Sequence, residues 1–134
     1  MLARMSQQPI ELILVRHLAS RLAVPVFVVD AVGDMVYFNG PAGDVLGRPF
    51  DEINVMRFAD WTTAFQPSSD GRAMDVGEIP LVRALRRTTP VHGPLDIVGA
   101  DGVTRTIEVT AFPIVPPTGE VLGAVAMFWE TAAT

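Results

Sequence analysis

The stretch from Val24 to Gly47, VPVFVVDAVGDMVYFNGPAGDVLG, constrains the fold more tightly than any other part of the chain. Val24–Val29 is β-branched and aromatic, the composition of a strand. Asp30-Ala31-Val32-Gly33 supplies a turn, because Asp accepts local backbone bonds and Gly takes positive φ without a Cβ clash. Met35–Phe38 returns as a second strand. Asn39 is placed to cap a following helix, Pro41 suits its first turn, and Gly47 suits its end. Ala42, Val45 and Leu46 then share one face of that helix.

The rest of the chain alternates helical and extended patterns. In Pro9–Leu22, Ile10, Leu14, Leu18 and Leu22 recur every four residues, and Leu12, Ile13, Val15 and Ala19 widen the stripe. So wide a face needs cover on more than one side, from the sheet alone or from the sheet and a second copy. Asp51–Phe65 reads as one or two short helices, through Ile53, Met56, Ala59, Trp61 and Phe65. Gln66–Asp75 reads as loop, being dense in turn formers. Glu78–Arg87 reads as a helix with Pro80 in its first turn, where the missing N–H matters least. Thr88-Thr89-Pro90 stops it.

Three strands follow. Val91–Val98 is the first, joined by the Asp101-Gly102 turn to Val103–Phe112. That second strand alternates, with Val103, Ile107, Val109 and Ala111 on one side and Thr104, Thr106, Glu108 and Thr110 on the other. Val121–Trp129 is apolar on both faces, as is Val24–Val29. An antiparallel strand apolar on both faces belongs at the centre of a sheet with both sides covered. The first and last strands are therefore expected side by side.

This order resembles a PAS domain of the bacterial sensor type. The resemblance runs from about Glu11 to Glu130. It rests on the Asp30-x-x-Gly33 turn, the strand ending in Asn39, and the helix closing on Leu46-Gly47. Asn39-Gly40-Pro41-Ala42 stands where the family usually has Asn-Pro-Ala. Asp70-Gly71-Arg72 followed by Glu78-Ile79-Pro80-Leu81-Val82-Arg83-Ala84-Leu85 is similar to the family's DG…E-x-P-L-x-R-A-L pattern. Asp101-Gly102, Phe112-Pro113, Gly119 and Gly123-Ala124-Val125 match its two closing hairpins. The resemblance implies an α+β fold: a five-stranded antiparallel sheet in the order 2-1-5-4-3, helices on one face, and an N-terminal helix flanking the sheet. Residues 1–9 are expected to be a mobile N-terminus, 10–23 a flanking or dimerisation helix, 24–130 the PAS core, and 131–134 a tail.

The resemblance implies a sensory, signal-transducing role, with a small apolar or amphipathic ligand in a cavity between sheet and helices. Implied lining residues are Val28, Leu46, Phe58, Trp61, Phe65, Leu81, Leu85, Ile97, Ile107, Val109 and Met127, with Tyr37 and Trp61 as polar tips. The same residues equally describe a filled core, which makes a ligand-free docking module the alternative. Ile10, Leu14, Leu18 and Leu22 are the candidate dimer contacts. A homodimer is expected, relaying to a protein partner or an output domain.

Composition narrows the chemistry. The 134 residues are 49% hydrophobic with a net charge of −5. That acidity disfavours nucleic acid, whose phosphates need a basic face. Arg83, Arg86 and Arg87 form the one basic cluster, read as a solvated helix face favoured by the C-terminal dipole. There is no cysteine, so disulfides, thiolate nucleophiles and the flavin–cysteinyl photocycle are excluded. The cofactor is left open and haem is not expected: the resemblance implies a haem-ligating His on the Glu78–Arg87 helix or just before it, and no His stands there. His17 and His92 are the only histidines. Glu108, Asp96 and His92 are within reach across strands, but no local motif makes a metal site of them. No catalytic constellation is present, so an enzyme is not expected. No apolar run spans a bilayer and no signal-peptide layout opens the chain, which makes a cytoplasmic protein the default.

Overall fold

The computed structural model describes residues 9–50, 56–99 and 101–131. The expectations for most of the N-terminal segment, for Ile53 and for nearly all of the 131–134 tail lie outside those residues. In chain order the elements are α1 (Ile10–Ala19), β1 (Val26–Asp30), β2 (Met35–Phe38), α2 (Gly40–Leu46), α3 (Phe58–Ala64), β3 (Ser68–Ser69) and β4 (Arg72–Ala73). A 3-10 turn (Val76–Glu78), α4 (Pro80–Arg87), β5 (Val91–Val98), β6 (Thr104–Ile114) and β7 (Gly123–Glu130) follow.

The strands form one antiparallel sheet in the order β2-β1-β7-β6-β5-β3-β4. The first five positions reproduce the expected order, with β1 and β7 central. The sheet has seven strands rather than five. The segment read as loop at Gln66–Asp75 holds a two-residue hairpin that adds to the β5 edge through Ser68 and Asp96. Its turn residues Asp70 and Gly71 both have positive φ.

Two cores lie on the two faces of the sheet. The inner core joins Phe27, Val29, Met35, Phe38, Leu95, Ile97, Ile107, Val109 and Phe128 to the buried faces of α2, α3 and α4. The outer core is smaller: Leu12 and Ala19 of α1 cover Val26, Val28, Val36 and Val125. Pairing shifts by one residue between Val28 and Val29, so Val36 is an extra residue opposite β1. This bulge turns both Val36 and Tyr37 toward the outer core.

The local chemistry at Asn39 is as the sequence indicates, and goes further. Its side chain caps α2 by accepting the Ala42 N–H (3.1 Å), and Gly47 ends the helix at φ 81°. The same Oδ1 accepts the Val26 N–H at 3.0 Å, and Nδ2 donates to the Ala19 and Val24 carbonyls, each at 2.9 Å. One buried amide thus ties α1, β1 and α2 together. At the first turn, Asp30 Oδ1 accepts from the Val32 and Asp34 N–H groups. A Cβ on Gly33 (φ 93°) would meet Phe58 Cδ1 at 2.6 Å, so both space and conformation require glycine there.

Candidate functional site: the inner cavity and the outward face of α1

Between the inner sheet face and the α3–α4 side lies a cavity of about 40 Å³. Its walls include Phe27, Leu95, Ile97, Ile107, Val109 and Phe128 from the sheet. Trp61 and Phe65 come from α3 and its end, and Ile79, Pro80 and Leu81 from the start of α4. The sheet residues arrive by strand alternation: Ile107 and Val109 of β6 point inward, while Glu108 and Thr110 point out. Pro80 opens α4 in its first turn, and a capping box just before it pairs Asp75 with Glu78.

Six of the expected lining residues meet at this cavity: Trp61, Phe65, Leu81, Ile97, Ile107 and Val109. Leu46, Phe58 and Leu85 belong to the inner core but do not reach the cavity wall. Val28, Tyr37 and Met127 are on the other face, in the core beneath α1. The expected polar tips are absent from the cavity for separate reasons. Trp61 Nε1 donates to the Gly33 carbonyl at 2.7 Å. Tyr37 lies on the outer side, where Arg16 sits 5.3 Å from its ring centroid. Sequence reasoning missed Phe27, Pro67, Ile79, Pro80, Leu95, Ala126 and Phe128 as wall residues. Strict alternation from Ile97 would have found Leu95.

The lining offers no polar group to orient a guest, and small-molecule pockets commonly occupy about 300–1,000 Å³. At about 40 Å³ this cavity has no room for a flavin or haem ring system. The chain also lacks the cysteine that flavin–cysteinyl chemistry needs. His92 lies on the outer sheet face, with Nε2 3.0 Å from Glu108 Oε1 and its ring beside Trp129. Asp96 is bound instead by the Thr106 hydroxyl. Among the described residues no group of three His, Cys, Asp or Glu side chains is placed to hold a metal ion. The carboxyls with shifted titration, Asp30 and Asp101, both sit at turns outside the cavity wall. No described helix is long and apolar enough to cross a membrane.

The second feature is α1. Leu12 and Ala19 are buried against the sheet, with Val15 beside them. On the opposite side Ile10, Leu14 and Leu18 are 66%, 60% and 60% exposed, and Ile13 is 50% exposed. Leu22 does not continue this stripe. It follows the helix and packs into the outer core. Ile13 takes its place in the exposed set.

No curated protein sequence matches the chain. Solved structures with the same fold include the PAS domain of BvgS from Bordetella pertussis, at 19% identity over 92% of this chain and 87% of that one, with a TM-score of 0.62. The PAS domain of nitrogen regulation protein NR(II) from Vibrio parahaemolyticus shares 16% identity over 88% and 98%, TM-score 0.60. The light-state dimer of the fungal blue-light photoreceptor Vivid shares 15% over 93% and 96%, TM-score 0.64. The model of a family described as the PAS fold matches residues 19–134. With the expected strand order realised and the Asn39–Gly47 helix in place, the chain belongs to the PAS family.

Proposed function

We propose that this sensory-type PAS domain works by protein association: its core is filled by its own side chains, and it pairs with a second copy through the outward face of α1. The observation that carries this reading is the stripe of Ile10, Ile13, Leu14 and Leu18, which faces solvent while Leu12 and Ala19 hold the helix to the sheet. Two-fold pairing is the commonest closed arrangement and would bring two identical stripes together. Fully burying a leucine is worth roughly 1.5–3 kcal/mol, so one 60% exposed retains about 1–2 kcal/mol to be gained on association. Four such side chains on each of two protomers are comparable with the roughly 4–15 kcal/mol lost in translational and rotational freedom. The pairing is accordingly weak to moderate and open to regulation by a partner.

Leu14→Glu acts twice in a symmetric dimer, and should weaken it by about 30-fold or more in Kd. Sedimentation equilibrium of the wild type, Leu14→Glu and Leu18→Glu tests this. A wild type that stays monomeric at high micromolar concentration, or variants that associate as tightly, would sink the proposal. The second reading, a small apolar guest in the core, draws on the wholly apolar cavity wall and requires α3 or α4 to move outward. Native mass spectrometry separates the two. Extra mass that disappears on denaturation favours the guest, and a dimer at twice the chain mass favours association alone.

A further inference from the structure

A second and larger cleft, of about 360 Å³, lies between the β3–β4 hairpin and α4. Arg72 enters it from the hairpin, and Arg83 and Arg87 from successive turns of α4. Ser69, Ala73, Met74, Gly77 and Glu78 complete the walls. Among the described residues none of these three arginines makes an ion pair or a side-chain hydrogen bond. Two other arginines are engaged: Arg105 binds Asp101 at 3.0 Å, and Arg86 lies over the Phe58 ring. The one carboxylate in the cleft wall, Glu78, is held in the capping box, its Oε1 accepting the Asp75 N–H at 3.0 Å.

Three guanidinium groups and one committed carboxylate therefore share a cleft on a chain whose net charge is −5. The helix dipole accounts for a cation in the last turn, where Arg87 sits, but for neither Arg72 on the hairpin nor Arg83 in the body of α4. Like charges at i and i+4, as at Arg83 and Arg87, repel each other on a helix surface. An anion between them removes that repulsion. Guanidinium is the side chain whose planar donors match carboxylate and phosphate oxygens two at a time. The volume falls within the usual range for small-ligand pockets.

We propose that this cleft binds a small multivalent oxyanion, a phosphate ester or a di- or tricarboxylate, bridging the β3–β4 hairpin to α4. Bridging matters because the same two segments bound the inner cavity: Pro67 precedes β3, and Ile79, Pro80 and Leu81 lead into and open α4. An oxyanion held by Arg72 and Arg83 ties that side of the cavity shut from outside.

The test is a ¹⁵N-resolved titration of the chain with pyrophosphate and, separately, with citrate, at low ionic strength, with sodium chloride at matched ionic strength as control. The expected result is saturable shifts confined to Ser69–Met74, Gly77 and Arg83–Arg87. Arg72→Gln and Arg83→Gln should each weaken binding about tenfold to a hundredfold, as loss of charge-assisted bonds does. Arg21→Gln, away from the cleft, should leave it unchanged. Saturation by pyrophosphate alone assigns a phosphate ligand, and by citrate alone a carboxylate. Shifts that chloride reproduces, that never saturate with either probe, or that survive both cleft substitutions would overturn the proposal. The spectra of the variants report directly that they remain folded.

Discussion

Replacing Asn39 by alanine should be among the most damaging single changes available to this domain. The residue is 2% exposed, and its four strongest bonds reach α1, β1, α2 and the Val24 carbonyl just ahead of β1. Loss of the α2 cap alone costs about 1 kcal/mol. Alanine also leaves the buried Val26 N–H without its acceptor, at roughly 1–3 kcal/mol. It removes the donor to the Ala19 and Val24 carbonyls as well, for about 1 kcal/mol more, since the Ala19 carbonyl still accepts the Leu22 N–H at 3.1 Å. The sum is about 3–5 kcal/mol, a large share of the roughly 5–15 kcal/mol that holds a typical domain together. Thermal unfolding should fall by roughly 10–20 °C for a chain of this length. Asn39→Asp sharpens the test. It keeps the acceptor for Val26 and Ala42 but replaces the donor to Ala19 and Val24 with a carboxylate oxygen facing two carbonyls. Its damage should therefore concentrate at the end of α1, with amide exchange accelerating there ahead of the central strands. Urea unfolding measures the first effect and hydrogen exchange the second. A loss below about 1 kcal/mol for Asn39→Ala would refute the accounting, because the cap term alone reaches that value.

Other expectations follow from the same structure. Trp61→Phe keeps the ring packing but removes the donor to the Gly33 carbonyl. Urea unfolding should show a loss of about 1–3 kcal/mol, while an unchanged midpoint would mean that water replaces the indole. The side-chain hydrogen bond from Arg105, followed by the Val103 N–H, holds the Asp101 carboxyl at about 2, below its ordinary 3.8. Because the folded-state value is depressed, its contribution is full above about pH 4 and is lost as pH falls toward 2. Asp101→Asn should flatten the decline of stability over that window in urea midpoints taken from pH 6 downward, and identical slopes would exclude the linkage. Leu14→Glu should abolish the proposed self-association in sedimentation equilibrium without lowering the monomer's urea midpoint, since that side chain is 60% exposed.

The parts of this structure legible in the sequence are those fixed by local chemistry or by one-sided alternation. Asn39, Pro41 and Gly47 act within a few residues of themselves, so the α2 boundaries could be read directly. β6 has one apolar and one polar face, so Ile107 and Val109 could be assigned inward without knowing its neighbours. The central position of β1 and β7 could be read from their being apolar on both faces, but that property erases the parity of each strand. Nothing along β1 or β7 distinguishes Val28 from Phe27, or Met127 from Phe128. Parity passes to these strands only through registry. Thr110, on the polar face of β6, lies opposite Met127, and Val125, paired with Phe112, lies opposite Val28. Both Val28 and Met127 therefore fall under α1, and Phe27 and Phe128 face the cavity. The bulge at Val36 adds a displacement that no alternation rule carries. The β3–β4 hairpin escaped because two-residue strands have no period, and with it went the approach of Arg72 to Arg83 and Arg87. What the sequence leaves unreadable here is long-range pairing, and both the face of a doubly apolar strand and the Arg72 cleft are set by it.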